Sequence, residues 1–204
     1  MNYLAHAHLS FNNENVLVGN MISDFVKGKK KFDYPVNIQK GISMHRLIDE
    51  FTDQHEATKH AKQFLKPAVG LYAGAFIDVV YDHFLANDTN EFINDEALKK
   101  FAASTYRQLE KHTNIFPEKF KLLFPYMQSQ DWLFNYRSLW GTEKSFGGVA
   151  RRAIYLNNAT AAFHAFEANY TALSECYHNF FPDVKKFCLL HLQTFVSNNL
   201  KQVP

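Results

Sequence analysis

Residues 75–85 read Ala75-Phe76-Ile77-Asp78-Val79-Val80-Tyr81-Asp82-His83-Phe84-Leu85. A helix drawn through this stretch carries apolar side chains on nearly every side, and an alternating strand pattern is absent. A helix apolar almost all round is a buried one. Asp78 and Asp82 are four residues apart and share a stripe with Leu71, Gly74, Ala75 and Leu85 on a helix over 71–86. An ionised carboxylate inside a protein is costly unless paired, and two on one stripe repel. Something cationic must face them, either Arg/Lys or a metal ion.

The helical period runs through the rest of the chain. Met44, Leu47, Ile48 and Phe51 repeat at three and four, as do Val184, Phe187, Cys188, His191 and Phe195. The pattern predicts an all-α fold, a single-domain multi-helix bundle over 1–204. Helices are expected over 2–11, 14–27, 36–65, 68–87, 94–112, 117–129, 131–140, 144–155, 158–178 and 182–200. Breaks are expected at Gly28-Lys29-Lys30-Lys31, Lys66-Pro67, Asn87-Asp88-Thr89-Asn90, Phe116-Pro117 and Phe181-Pro182. Internal repeats, low-complexity tracts and long linkers are absent.

Composition narrows the function. With 47% hydrophobic and 21% charged residues the chain is globular rather than disordered. A net charge of +2 gives no bias toward nucleic acid. The 20 phenylalanines imply a large aromatic core or an exposed apolar groove, and composition does not choose between them. Cys176 and Cys188 form no CxxC pair or disulfide framework, which suits a reduced, cytoplasmic setting. The N-terminal MNYLAHAHLS lacks the basic and apolar regions of a signal peptide, and no run of 18 apolar residues occurs, so no membrane span is expected.

The acid-in-apolar pattern recurs upstream. Asn20 and Asp24 are four apart in Val16–Val26, though Asn20 equally suits a cap or bridge to backbone, and the stripe His45, Asp49, Asp53 borders an apolar one. His6 and His8 sit among Leu4, Ala5, Ala7 and Leu9, about 200° apart on a helix, so at most one points at a common site. This His/Asp set falls on four predicted helices within the first 83 residues. Histidine and carboxylate ligands suit Mn²⁺, Fe²⁺, Zn²⁺ or Mg²⁺, and helical bundles build metal sites from such inward side chains. A buried Asp–Arg network would satisfy the same residues. Asp53 and His55 border a polar stretch and equally suit a surface. Lys29-Lys30-Lys31 and Arg151-Arg152 are either solvated charges or an attraction for an acidic partner.

In these residues the chain resembles the acyl carrier protein phosphodiesterases, the holo-acyl-carrier-protein hydrolases. The resemblance lies in MNYLAHAHLS from Met1, GNMISDFVKG (Gly19–Gly28), GISMHRLIDEFTDQH (Gly41–His55) and FIDVVYDHFL (Phe76–Leu85), in that order. Beyond residue 90 it is looser, carried by Asp131-Trp132-Leu133, Tyr136-Arg137 and Gly148…Arg151-Arg152. The metal-site helices thus lie within 1–87, with a looser-matching helical remainder over 88–204.

The resemblance implies an all-helical relative of HD-type phosphohydrolases that uses a divalent metal, Mn²⁺ foremost. The implied reaction is hydrolysis of the phosphodiester joining 4′-phosphopantetheine to a serine of holo-acyl carrier protein. The adjacent His-Asp pair of the HD name is reversed here, as Asp82-His83. The expected metal ligands are His6, Asp24, His45 and Asp82. Asp78 and Asp49 are expected as further ligands or as groups orienting the histidines. His83 is expected either to protonate the leaving serine oxygen or to be a buried histidine bonded to backbone. Lys27, Arg46 and Arg151 are expected on the substrate phosphate, and Lys27, Lys29, Lys30, Lys31, Arg151 and Arg152 toward the acidic carrier protein. Two other readings compete. One is a metal phosphohydrolase acting on a nucleotide or small phosphodiester. The other is a non-catalytic helical module that binds an acidic partner.

Overall fold

Short polar side chains open several of the helices. Asn13 accepts a hydrogen bond from the Val16 N–H, Asn94 from Ala97 and Ser138 from Gly141, each satisfying a first-turn donor. The computed structural model describes residues 1–156 and 159–200, with side chains to residue 194. Eleven α-helices and no strand occur among the described residues. They are α1 (Tyr3–His8), α2 (Glu14–Ile22), α3 (Val36–Gln54), α4 (Glu56–Val69), α5 (Ala73–Ala86), α6 (Asp95–Glu110), α7 (Glu118–Ser129), α8 (Trp132–Asn135), α9 (Leu139–Arg152), α10 (Thr160–Ala168) and α11 (Tyr170–Leu200). Tight 3₁₀ turns at Ser23–Phe25 and Gly28–Asp33 join α2 to α3.

Several boundaries differ from the expected ones, for local reasons. The helix expected over 36–65 divides at His55, whose Nδ1 accepts the Ala57 N–H and caps α4. Pro67 stays inside α4, near its end, and the helix stops instead at Gly70, where φ is +56°. Pro182 lies inside α11. A proline there removes one helical hydrogen bond and costs roughly 3 kcal/mol. Burial of Phe180, Phe181 and Val184 on either side of it outweighs that. The segments expected over 131–140 and 144–155 become α8 and α9, divided at Ser138. The helix expected from 158 begins outside the described residues and is interrupted at Asn169 between α10 and α11.

The helix expected to be buried is α5. Phe76, Ile77, Val79, Val80, Tyr81, Phe84 and Leu85 are all buried in it. Much of the phenylalanine content surrounds it: Phe146 meets Phe76 edge-on at 4.8 Å, and Phe180 stacks on Tyr81 at 4.9 Å. Helices α1, α4, α9 and α11 pack against α5. The α4–α5 stretch Glu56–Ala86 is long and apolar enough to cross a membrane by composition. Gly70 turns the chain within it, and α4 packs against α5.

Helices α2 and α3 cross with their backbones in close contact. A Cβ on Gly19 would lie 2.2 Å from the Ile38 carbonyl oxygen, and one on Gly41 would lie 2.4 Å from that of Val16. Only glycine lets the two backbones touch here. Asn20 follows the first glycine and His45 lies one turn beyond the second, so this crossing positions the histidine.

Candidate functional site

His45 is buried on α3, and its Nδ1 donates to the Asn20 carbonyl oxygen at 2.8 Å. That bond leaves Nε2 facing out of the crossing. Nε2 lies 3.1 Å from Asp24 Oδ1 and 3.1 Å from Asp49 Oδ2. Burial acts to lower the His45 pKa, but the bonds to Asp24 and Asp49 overcome it and raise it to about 9. Asp24, at the 3₁₀ turn after α2, is held low first by its bond to His45. Asp49 is held low by His45 and His6 against burial, which acts to raise it.

His6 completes the group. Its ring stacks on His45 with centroids 3.8 Å apart, and its Nε2 is 3.2 Å from Asp49 Oδ1. The angle at that contact is poor, and neither ring nitrogen of His6 has a hydrogen-bond partner. Burial, then the His45 charge, lowers the His6 pKa to about 4, so the ring is a neutral imidazole. One ligand atom from each of His6, His45 and Asp49 lies within 4.8 Å of the other two. A buried neutral imidazole without a partner, a second imidazole whose far nitrogen is anchored to a carbonyl, and a carboxylate between them form a donor set that fits a divalent cation. Asp24, with its side chain 65% exposed, stands at the open side.

A second tier holds these groups. Asn20 Nδ2 donates to the His6 carbonyl oxygen at 3.0 Å and to Ser10 Oγ at 2.9 Å. One residue therefore serves both histidines, His6 through its side chain and His45 through its backbone. The sequence offered Asn20 as a partner of Asp24 or as a bridge to backbone, and it is the bridge; a further signal was the glycine ahead of each segment, in Gly19-Asn20 and Gly41-Ile42-Ser43-Met44-His45.

The other expected site residues lie elsewhere. Asp82 is fully buried, and both its oxygens are occupied by α1. Oδ2 accepts the Leu4 N–H at 2.7 Å, while Oδ1 accepts those of Ala5 and Asn2 at 3.2 and 3.3 Å. It caps the helix that carries His6 and stands apart from the His6, His45 and Asp49 group. Burial pushes its carboxyl up to about 7, against the Met1 ammonium and these three donors. Asp78 is half-buried and accepts from the Met1 amino group at 2.8 Å. Burial raises its pKa despite that ammonium. The aspartates of α5 thus meet an amino group and backbone N–H groups rather than an Arg or Lys side chain.

His83 leaves α5 on another side. Its Nδ1 faces the Tyr136 carbonyl oxygen at 2.8 Å and Thr142 Oγ1 at 3.0 Å, and its Nε2 faces the Tyr170 hydroxyl at 2.9 Å. It shares no partner with the His6–His45 group, so its contacts are those of a packed core histidine. Neighbouring residues on a helix point about 100° apart, which separates Asp82 from His83. Arg46 donates to the Val26 carbonyl oxygen at 2.9 Å and so ties down the turn carrying Asp24. The Arg151 guanidinium folds back over Gly147 and Gly148 of its own helix. Lys27 is exposed two residues after Phe25. His8 pairs with Glu91 at 2.8 Å, Asp53 with Lys62 at 2.6 Å and His55 with Asp183 at 3.3 Å, all outside the site.

Asp82→Ala would leave the Leu4 and Ala5 N–H groups buried without an acceptor. A loss of about 3 kcal/mol in urea unfolding is expected, with a smaller loss for Asp82→Asn, which keeps one acceptor oxygen.

A model of the family described as acyl carrier protein phosphodiesterase matches residues 1–184. Relatives named acyl carrier protein phosphodiesterase share this length. The one from Salmonella paratyphi A is 32% identical over 182 residues, 89% of this chain and 94% of the relative. That from Photorhabdus laumondii is 31% identical over 182 residues, covering 89% and 92%. That from Yersinia pestis is 31% identical over 186 residues, covering 91% and 96%. No solved structure matches. The chain belongs to the acyl carrier protein phosphodiesterase family, and it is an enzyme of the phosphodiesterase class.

Proposed function

We propose that this chain is a metal-dependent phosphodiesterase, a relative of the HD-type phosphohydrolases, that works in the cytoplasm. It hydrolyses the bond between 4′-phosphopantetheine and the serine of holo-acyl carrier protein, releasing apo-carrier protein. The observation that carries this reading is His6: a buried, neutral imidazole with no hydrogen-bond partner beside His45 and Asp49. His6, His45 and Asp49 would hold the ion, with Mn²⁺ favoured by the family resemblance. When bound, a divalent ion supplies Lewis acidity and lowers the pKa of water.

The chain's own residues do the rest. The Asn20 carbonyl fixes the His45 ring, so its Nε2 is the nitrogen available to a ligand. Asp24 is the exposed carboxylate at the mouth, held ionised by its bond to His45, and it is placed to take a proton from an attacking water. Arg46 keeps the Asp24 turn in place through Val26.

Chelator treatment is expected to abolish turnover of holo-carrier protein, and Mn²⁺ to restore it. In the metal-free protein the proton on His45 is held with a pKa of about 9, so it competes with the ion below that pH. Mn²⁺ affinity is therefore expected to rise from pH 7 to pH 9, with proton release seen by calorimetry in buffers of different ionisation heat. Parallel assays on holo-carrier protein and on small phosphodiesters test the substrate. A preference for the small esters would sink the carrier-protein reading.

Lys27, Lys29 and Lys30 are exposed just beyond Asp24. A cationic rim beside the site suits an acidic protein substrate. Lys27→Ala/Lys29→Ala is expected to lower kcat/KM on the carrier roughly tenfold at low salt. Raising the salt to about 0.5 M should bring the two proteins closer together, because screening removes what the lysines contribute.

A further inference from the structure

A cavity of about 320 Å³ begins at the residue after Asp24. Phe25, Val26, Lys30, Tyr34, Pro117, Glu118 and Lys119 line it, so one wall is the site's own turn and the other is the start of α7. The Phe25 ring meets Phe120 of α7 at 5.4 Å, and Arg46 holds the Val26 carbonyl, so both walls are anchored. Lys30 and Lys119 have no ion pair among the described residues. Pro117 opens α7 without a side-chain cap, which leaves first-turn N–H donors for an outside acceptor.

We propose that this groove seats the pantetheine arm of the substrate, with the arm's phosphate end at Asp24. The proposal rests on the carrier-protein reading above. The lining matches a slender neutral chain. Phe25, Val26 and Pro117 suit a gem-dimethyl and methylene backbone. Two ammonium groups, the Tyr34 hydroxyl and the α7 N–H groups suit the oxygens of two amides and a hydroxyl. An acidic helix of the carrier protein fits less well. A helix is about 10 Å across with its side chains, and Glu118 in the lining offsets one of the two lysines. The lysines outside the groove remain for the protein surface.

The test uses pantetheine, which lacks the phosphate, titrated into metal-free protein and followed by calorimetry or amide shifts. Binding to the wild type is expected, weakened at least about tenfold by Tyr34→Ala and by Lys119→Ala. The ratio of kcat/KM on holo-carrier protein to that on bis(p-nitrophenyl) phosphate, which has no arm, should fall by a similar factor. Absence of pantetheine binding to the wild type, or equal binding to the variants, overturns the proposal. So does a lower ratio with pantetheine binding intact, because the groove then takes part of the carrier protein. If pantetheine binds as expected but no protein hydrolyses holo-carrier protein, the groove assignment stands and the reaction assignment fails.

Discussion

Replacing His45 with alanine is expected to lower turnover about a thousandfold and empty the protein of bound Mn²⁺, with its helices intact. His45 is the junction of the site: its Nδ1 holds the Asn20 carbonyl and its Nε2 faces Asp24 and Asp49. Without it those two carboxylates lose their shared partner, and His6 keeps only one neighbour able to ligate. An ion's Lewis acidity is worth several kcal/mol to a transition state; a loss of about 4 kcal/mol is about 10³ in rate. His6→Ala should behave alike, because that ring has no other partner to satisfy. Metal analysis, circular dichroism and steady-state kinetics on the same preparation read all three quantities. Retained metal and turnover in either variant would show that the ion, if needed, sits elsewhere.

Gly41→Ala is expected to destabilise the fold by about 3 kcal/mol or more, at the high end of overpacking effects. The added methyl would meet the Val16 carbonyl oxygen at 2.4 Å and the Gly19 Cα at 2.9 Å. Both are backbone atoms, so relief requires the helices to part. Gly19→Ala meets the Ile38 oxygen at 2.2 Å and should be as severe. Parting the helices also draws the Asn20 carbonyl from His45, so surviving protein should bind Mn²⁺ weakly. Gly74→Ala is the control: its methyl would touch only the end of the Lys62 side chain, at 3.4 Å. There the helical preference for alanine should leave stability unchanged or raise it by up to about 1 kcal/mol. Urea unfolding of the three variants decides between them.

The all-helical fold was legible because apolar residues recur at three and four throughout. The burial of α5 was legible because little that is polar interrupts it beyond its two acids and His83. Prolines misled at 67 and 182, where tertiary burial overrode a local breaker. Within the site, the i, i+4 pairs pointed to His45 with Asp49, and the family motifs to His6 and Asp24. These four are brought together. Asp82 and Asp78 met the same criterion and do otherwise. A buried carboxylate needs hydrogen-bond donors, and sequence spacing does not distinguish a metal from the N–H groups at the start of another helix. His83 was favoured for an unperturbed pKa near neutrality, which says nothing of where the ring points, and the helix sends it away from its neighbour Asp82.

The hold on His45 comes from the main chain of Asn20, not from a side chain. An alanine scan would therefore pass over it, since every residue at position 20 supplies the same carbonyl. What can be inherited or lost is the path of the helix that carries it. Tuning of this histidine falls instead to substitutions that shift α2 along α3, some of them far from the open face. Residues remote from the His/Asp group thereby set the aim of one within it.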